Sequence, residues 1–133
     1  MTTDLQVEHL AINVADPEAM AQWYGQHLGM TIVRKGDPPD LMHFLADSGG
    51  RVVLEIYRAL PDEVPDYAAM HPLVLHLAFA ADNARVTMGK LVAAGATALG
   101  DIRVTPAGDH MAMLRDPWGF AIQLCQRAEP MIS

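Results

Sequence analysis

Two stretches of this sequence, EHLAINVADP from Glu8 and LHLAFAADNA from Leu75, repeat one pattern: a histidine, a Leu-Ala pair, an apolar run, then a residue suited to begin a helix. His9 and His76 are 67 residues apart, as are Asp16 and Asn83, while Gly29 and Gly95 are separated by 66 and Glu55 and Gln123 by 68. A spacing held to within one residue over half a chain marks an internal repeat, so the fold must be one that a duplicated unit can build. With 133 residues, 51% of them hydrophobic and 19% charged, the chain can bury a core as one domain, residues 1–133.

Within the first unit, residues 5–57, Val7 to Val14 alternate and are rich in β-formers, which predicts a strand. Asp16 offers an N-cap and Pro17 a first-turn residue, Met20, Trp23, Tyr24, His27 and Leu28 follow at helical spacing, and Gly29 closes the helix. MTIVRK, LMHFLAD and RVVLEIYR read as three further strands, punctuated by GDPPD and DSGG. Residues 58–72 are polar, carry three prolines and lack a period, which predicts a linker or lid loop. The pattern restarts over residues 73–127: LVLHLAFAA as a strand, Asp82 or Asn83 capping a helix that ends at Gly95, TALGDIRVTP as an irregular strand, and HMAMLRDPWGFAIQLCQ as a hairpin around the turn DPWG. The expected class is α+β, two βαβββ modules.

Strand residues two apart face the same side. Leu54 and Ile56 are thereby set against Glu55 and Tyr57, Ile122 and Leu124 against Gln123 and Cys125, and each module directs one imidazole and one carboxyl or amide away from its helix. A lone histidine at a strand start is more often simply hydrogen-bonded, and a lone Glu simply solvated. Four such groups related by a repeat suit a divalent metal: His9, Glu55 and His76 provide imidazole nitrogen and carboxylate oxygen for Zn, Ni, Fe(II) or Mn, with Gln123 adding an amide oxygen. His43 is placed along a cavity wall, whereas His27, His71 and His110 lack partners at ligand spacing. The single Cys125 has nothing basic near it in sequence and reads as a buried thiol. Arg34, Arg58, Arg103 and Arg115 are scattered and read as solvated surface charges.

A net charge of −7 with nine Lys and Arg provides no basic patch, which argues against nucleic acid. No apolar run approaches the ~20 residues that span a bilayer, and MTTDLQVEHLAINV has neither a basic nor a long apolar leader region, so a cytoplasmic protein away from membranes is expected. GxGxxG, P-loop and GxSxG motifs do not occur.

The segments HLAINVADPEAMAQWYGQHLGM, VVLEIYR, LHLAFAADN and LRDPWGFAIQLCQ together resemble the vicinal oxygen chelate superfamily of glyoxalase I, extradiol dioxygenases and bleomycin-resistance proteins, over Val7 to Gln126. That resemblance implies a cleft-shaped mixed-sheet barrel, a metal at its floor, a small-molecule substrate and a homodimer. Its ligand positions fall on His9, Glu55, His76 and Gln123. The last is normally Glu, which serves as ligand and base, and an amide cannot take up a proton near neutral pH. Glu55 is then the carboxylate left to act as base. The resemblance therefore implies a metal-dependent lyase or isomerase abstracting a proton next to a carbonyl. Its alternatives are a metal-free binding protein of antibiotic-like molecules and, if Glu55 replaces the missing carboxylate, an extradiol-type dioxygenase. Tyr57, His43, Met113 and Trp118 are the expected substrate contacts.

Overall fold

The structure, a computed structural model, describes residues 4–132. Its contacts divide the chain between Pro65 and Asp66 into two units, each a mixed sheet with one helix. In the first, β1 (Leu10–Asn13), α1 (Pro17–His27), β2 (Thr31–Lys35), β3 (His43–Ala46) and β4 (Val52–Tyr57) give a sheet of order β1-β4-β3-β2, with β1 and β4 parallel. In the second, β5 (Leu77–Ala80), α2 (Ala84–Ala93), β6 (Thr97–Ala98), β7 (Arg103–Val104), β8 (His110–Arg115) and β9 (Ala121–Gln126) give the order β5-β9-β8-β6, with β7 also on β8 and with β5 and β9 parallel. Single turns of 3-10 helix lie at Pro61–Glu63 and Tyr67–Ala69.

The period-two pattern decides which face is buried. Leu45, Leu54 and Ile56 sit beneath Met20, Ala21 and Tyr24 of α1, while Leu114, Ile122 and Leu124 are covered on the α2 side, where Leu91 is buried. Both helices begin where the caps place them. The Asp16 side chain accepts from the Ala19 N–H at 3.1 Å and the Asn83 side chain from the Val86 N–H at 3.1 Å. The Gln126 Oε1 accepts a further N–H, from Ala84 at 2.9 Å, tying the end of β9 to the start of α2.

Two features differ from the sequence reading. Both first strands are shorter than their apolar runs: β1 begins at Leu10 rather than Val7, and β5 at Leu77 rather than Leu73. For β5 the reason is Pro72, at the second corner of a turn closed by the Val74 N–H on the His71 carbonyl at 2.9 Å, which leaves Leu73 and Val74 exposed. His9 and His76 thus each stand one residue ahead of a strand. The irregular strand TALGDIRVTP is likewise split into β6 and β7. Between Ala98↔Leu114 and Arg103↔Met111 the residues Leu99 to Ile102 oppose only Ala112 and Met113, so the excess chain swings out and leaves a hollow beside β8. Among the described residues no helix is long and apolar enough to cross a membrane.

Candidate functional site

Directly paired residues of neighbouring strands share a face. In the first module Ala11 and Phe44 both pair with Glu55, which makes a row across β1, β4 and β3 on the side away from α1. His9 closes over that row. Its Nε2 lies 3.3 Å from the Glu55 Oε1, its Nδ1 2.9 Å from the Glu8 Oε1, and its ring meets Phe44 edge-on at 5.0 Å between centroids. The imidazole is therefore set between two carboxylates. With the Nδ1 donating to the Glu8 carboxylate, the Nε2 is the ring nitrogen turned toward Glu55. The Nε2 and the Glu55 Oε1 thus present two lone-pair donors toward one point. Two donors about 2.1 Å from one cation and at right angles to each other stand roughly 3 Å apart, so the pair fits a metal as two members of a ligand set. The Nδ1 contact with Glu8 has the form by which metal-binding histidines are oriented.

In the second module the corresponding row is Ala78, Gln123 and Met113. The His76 Nδ1 donates to the Pro72 carbonyl at 2.8 Å, so its Nε2 is again the nitrogen left with a lone pair. Gln123 holds in this row the position that Glu55 holds in the first. The Cys125 thiol donates to its Oε1 at 3.5 Å, and burial raises the pKa of that thiol above its ordinary value, keeping it protonated as a donor. A cleft of about 370 Å³ opens on this face, walled by Leu73, Leu99, Met111, Met113 and Gln123 with Arg103 at its edge. A second cleft of about 370 Å³ lies in the first module, against Glu8, Val33, Arg34, Phe44 and Val52. Among the described residues no three His, Cys, Asp or Glu side chains stand together as a complete cation site.

The expected substrate contacts divide. Met113 walls the second-module cleft beside Gln123. Tyr57 lies two residues beyond Glu55 and pairs with Asn13, whose side chain holds the departing chain by accepting from the Ala59 and Leu60 N–H groups and donating to the Leu60 carbonyl. His43 must be corrected. It pairs with Ile56 on the helix-covered face, is 1% exposed, and donates from Nδ1 to the Leu41 carbonyl at 2.7 Å. Register, not composition, decides this, because one step along β3 exchanges His43 for Phe44 on the open side. Trp118 has a backbone role. It is a corner of the 116–119 turn, where its N–H and that of Phe120 both donate to the Asp116 Oδ1 at 2.9 Å. Sequence reasoning passed over Glu8 and Phe44. Glu8 was visible as the acid adjacent to His9, whereas Phe44 emerges only from the β3–β4 pairing.

The chain is 26% identical over 131 residues to a protein of Vibrio cholerae serotype O1 named "Probable lactoylglutathione lyase", covering 93% of this chain and 92% of that one. Among solved structures it resembles TnmS3, an antibiotic binding protein from Streptomyces sp. CB03234, with a TM-score of 0.74, 21% identity and coverage of 96% of this chain and 100% of that one. It also resembles a glyoxalase family protein from Enterococcus faecalis, with a TM-score of 0.67, 26% identity and coverage of 91% and 97%. The repeated strand-helix-strand modules accord with the match of residues 6–124 to one family model, and the chain belongs to the Glyoxalase/Bleomycin resistance protein/Dioxygenase superfamily.

Proposed function

We propose that this protein is a metal-dependent lyase or isomerase that moves a proton next to a carbonyl of a small, oxygen-chelating substrate. The observation that carries the reading is the His9 imidazole set between Glu8 and Glu55, with the Nε2 3.3 Å from the Glu55 Oε1. His9 and Glu55 would hold a divalent cation of the Zn, Ni, Fe(II) or Mn class, and His76 and Gln123 are the further donors proposed for it. When bound, the cation supplies Lewis acidity toward a substrate oxygen. The proton itself is the task of Glu55, whose carboxylate takes it from the carbon next to the carbonyl and returns it. Phe44, packed against His9, limits water at that carboxylate. Gln123 cannot share the task, since an amide neither takes up nor gives up a proton near neutral pH, but its N–H groups can donate to a substrate oxygen. Tyr57 and Met113 are proposed as contacts to the body of the substrate.

Calorimetric titration of the chelator-treated protein with Zn²⁺, Ni²⁺ and Mn²⁺ tests the reading. One equivalent bound per chain, lost in His9→Ala and weakened in Glu55→Gln, supports it and opens a screen of hemithioacetals and thioesters. Absence of binding by any of the three ions overturns it. A second reading, a metal-free binding protein, is favoured by the second-module cleft, whose wall of Leu73, Leu99, Met111 and Met113 beside a neutral amide suits an apolar guest. It predicts tight binding of an aromatic or antibiotic-like compound that added metal does not change.

A further inference from the structure

Arg115 ends β8, yet its guanidinium does not point to solvent as an isolated surface charge would. Its Nη1 donates to the Tyr67 carbonyl at 3.0 Å and to the Gly119 carbonyl at 3.1 Å, and its Nη2 donates to the Met70 carbonyl at 2.9 Å. The two carbonyls of residues 67 and 70 are the ends of one 3-10 turn, which also closes on itself through the Met70 N–H and the Tyr67 carbonyl at 3.1 Å. A planar fork of donors spans such a pair, and an ammonium, which is a single point of charge, does not. Around the clamp the fit is close: Tyr67 meets Phe120 edge-on at 5.0 Å, and a Cβ on Gly119 would come within 2.7 Å of the Ala68 Cβ.

The clamp bears on the next segment of the chain. Immediately after Met70 comes the 71–74 turn, held by the Val74 N–H on the His71 carbonyl at 2.9 Å and the Leu73 N–H on the His71 Nδ1 at 3.1 Å. Inside it the Pro72 carbonyl receives the His76 Nδ1–H at 2.8 Å, and Pro72 and Leu73 form part of the cleft wall. A continuous series of short links thus runs from Arg115 to the imidazole.

We infer that Arg115 is a positioning residue: by fixing residues 67–70 it sets where the Pro72 carbonyl lies, and so which His76 nitrogen carries the proton and how the ring is turned. Any use of the His76 Nε2, toward a metal or a ligand, then depends on a guanidinium that touches neither. This role stands apart from the proposed chemistry, and its test needs no metal and no substrate, so either can fail without the other.

The test is the ring ¹⁵N spectrum of His76 in metal-free ¹⁵N-labelled protein, at one pH, with His9 and His43 as internal references. Wild type should show a single tautomer with the proton on Nδ1. In Arg115→Ala the His76 signals should move toward an averaged tautomer while His9 and His43 keep theirs, and guanidinium ion added far below unfolding concentrations should restore the His76 signals. Arg115→Lys should recover them only in part. Unchanged His76 signals in Arg115→Ala overturn the inference, as do equal changes in all three rings. Should Arg115→Ala fail to fold, Gly119→Ala, which pushes on Ala68 from the other side, must shift His76 alone, and unchanged His76 signals there also overturn it.

Discussion

The two modules share a topology and differ in what they place on the open row. In the first, an acid, Glu55, faces an imidazole that a second acid, Glu8, holds from behind. In the second, an amide, Gln123, accepts from a buried thiol, and the imidazole is held by a backbone carbonyl. Backbone pairing and core packing tolerate either set, because these side chains lie on the face the helices do not cover. The repeat therefore keeps one scaffold while charge and proton-holding capacity are concentrated in one half. The edges differ in the same sense. β2 pairs with β3 from Thr31 to Lys35 with a register shift between Ile32 and Arg34, whereas its counterpart is broken into β6 and β7, and Leu99 and Asp101 from the stretch between them help to wall the second-module cleft.

Exchanging acid and amide between the modules is the strongest way to break this comparison. On a substrate found by the screen, Glu55→Gln should lower turnover by about 10²- to 10⁴-fold, the usual contribution of a general base. Gln123→Glu should leave turnover within a few fold and strengthen metal binding by adding a negative donor. Equal losses at both positions in steady-state kinetics would mean the modules share the proton transfer. Next in size is the support behind the imidazole. Glu8→Ala removes the carboxylate at 2.9 Å from the His9 Nδ1 and should weaken metal binding by roughly 10- to 100-fold. The second module has no such side chain to remove, because its support is the Pro72 carbonyl.

The caps provide a smaller contrast, in stability. Asp16→Ala should cost about 1 kcal/mol in urea unfolding. Asn83→Ala should cost less, because the Gln126 side chain still satisfies the Ala84 N–H, and Asn83→Ala with Gln126→Ala together should exceed the sum of the single changes. The smallest effect concerns acid. The Ala128 N–H, and then Arg127, hold the Asp109 carboxyl below the ordinary carboxylate pKa. A depressed folded-state pKa contributes stability that is present above the unfolded value of 3.8 and lost as pH falls through the folded value. Asp109→Asn should therefore lower the melting temperature slightly at pH 7 and flatten its fall below pH 4, whereas an unchanged acid limb would assign that limb to other carboxyls.

Much of this was legible because short-range chemistry fixed it. The caps at Asp16 and Asn83, the turn begun by Asp116 and the alternation that turns Glu55 and Gln123 away from the helices depend on residues a few positions apart. Pro72 was equally local, but an apolar run concealed it: LVL looks like a strand until the turn that a proline favours is weighed against it. His43 and Phe44 show the opposite case. Both are credible cavity residues by type, and alternation alone says only that they face opposite ways. The pairing of His43 with Ile56 and of Phe44 with Glu55 chooses between them.

By itself, then, the sequence determined a duplicated α+β scaffold and the side chains offered on each open row, since periodicity and capping act over a few residues and survive without tertiary context. Only the tertiary structure decided that His9 lies between two carboxylates, that His43 is buried, and that Arg115 clamps the segment ahead of His76. Those outcomes rest on strand register and on hydrogen bonds between residues up to 48 positions apart. Their outcome is set by which strands pair and in what register, which no local pattern of residues encodes.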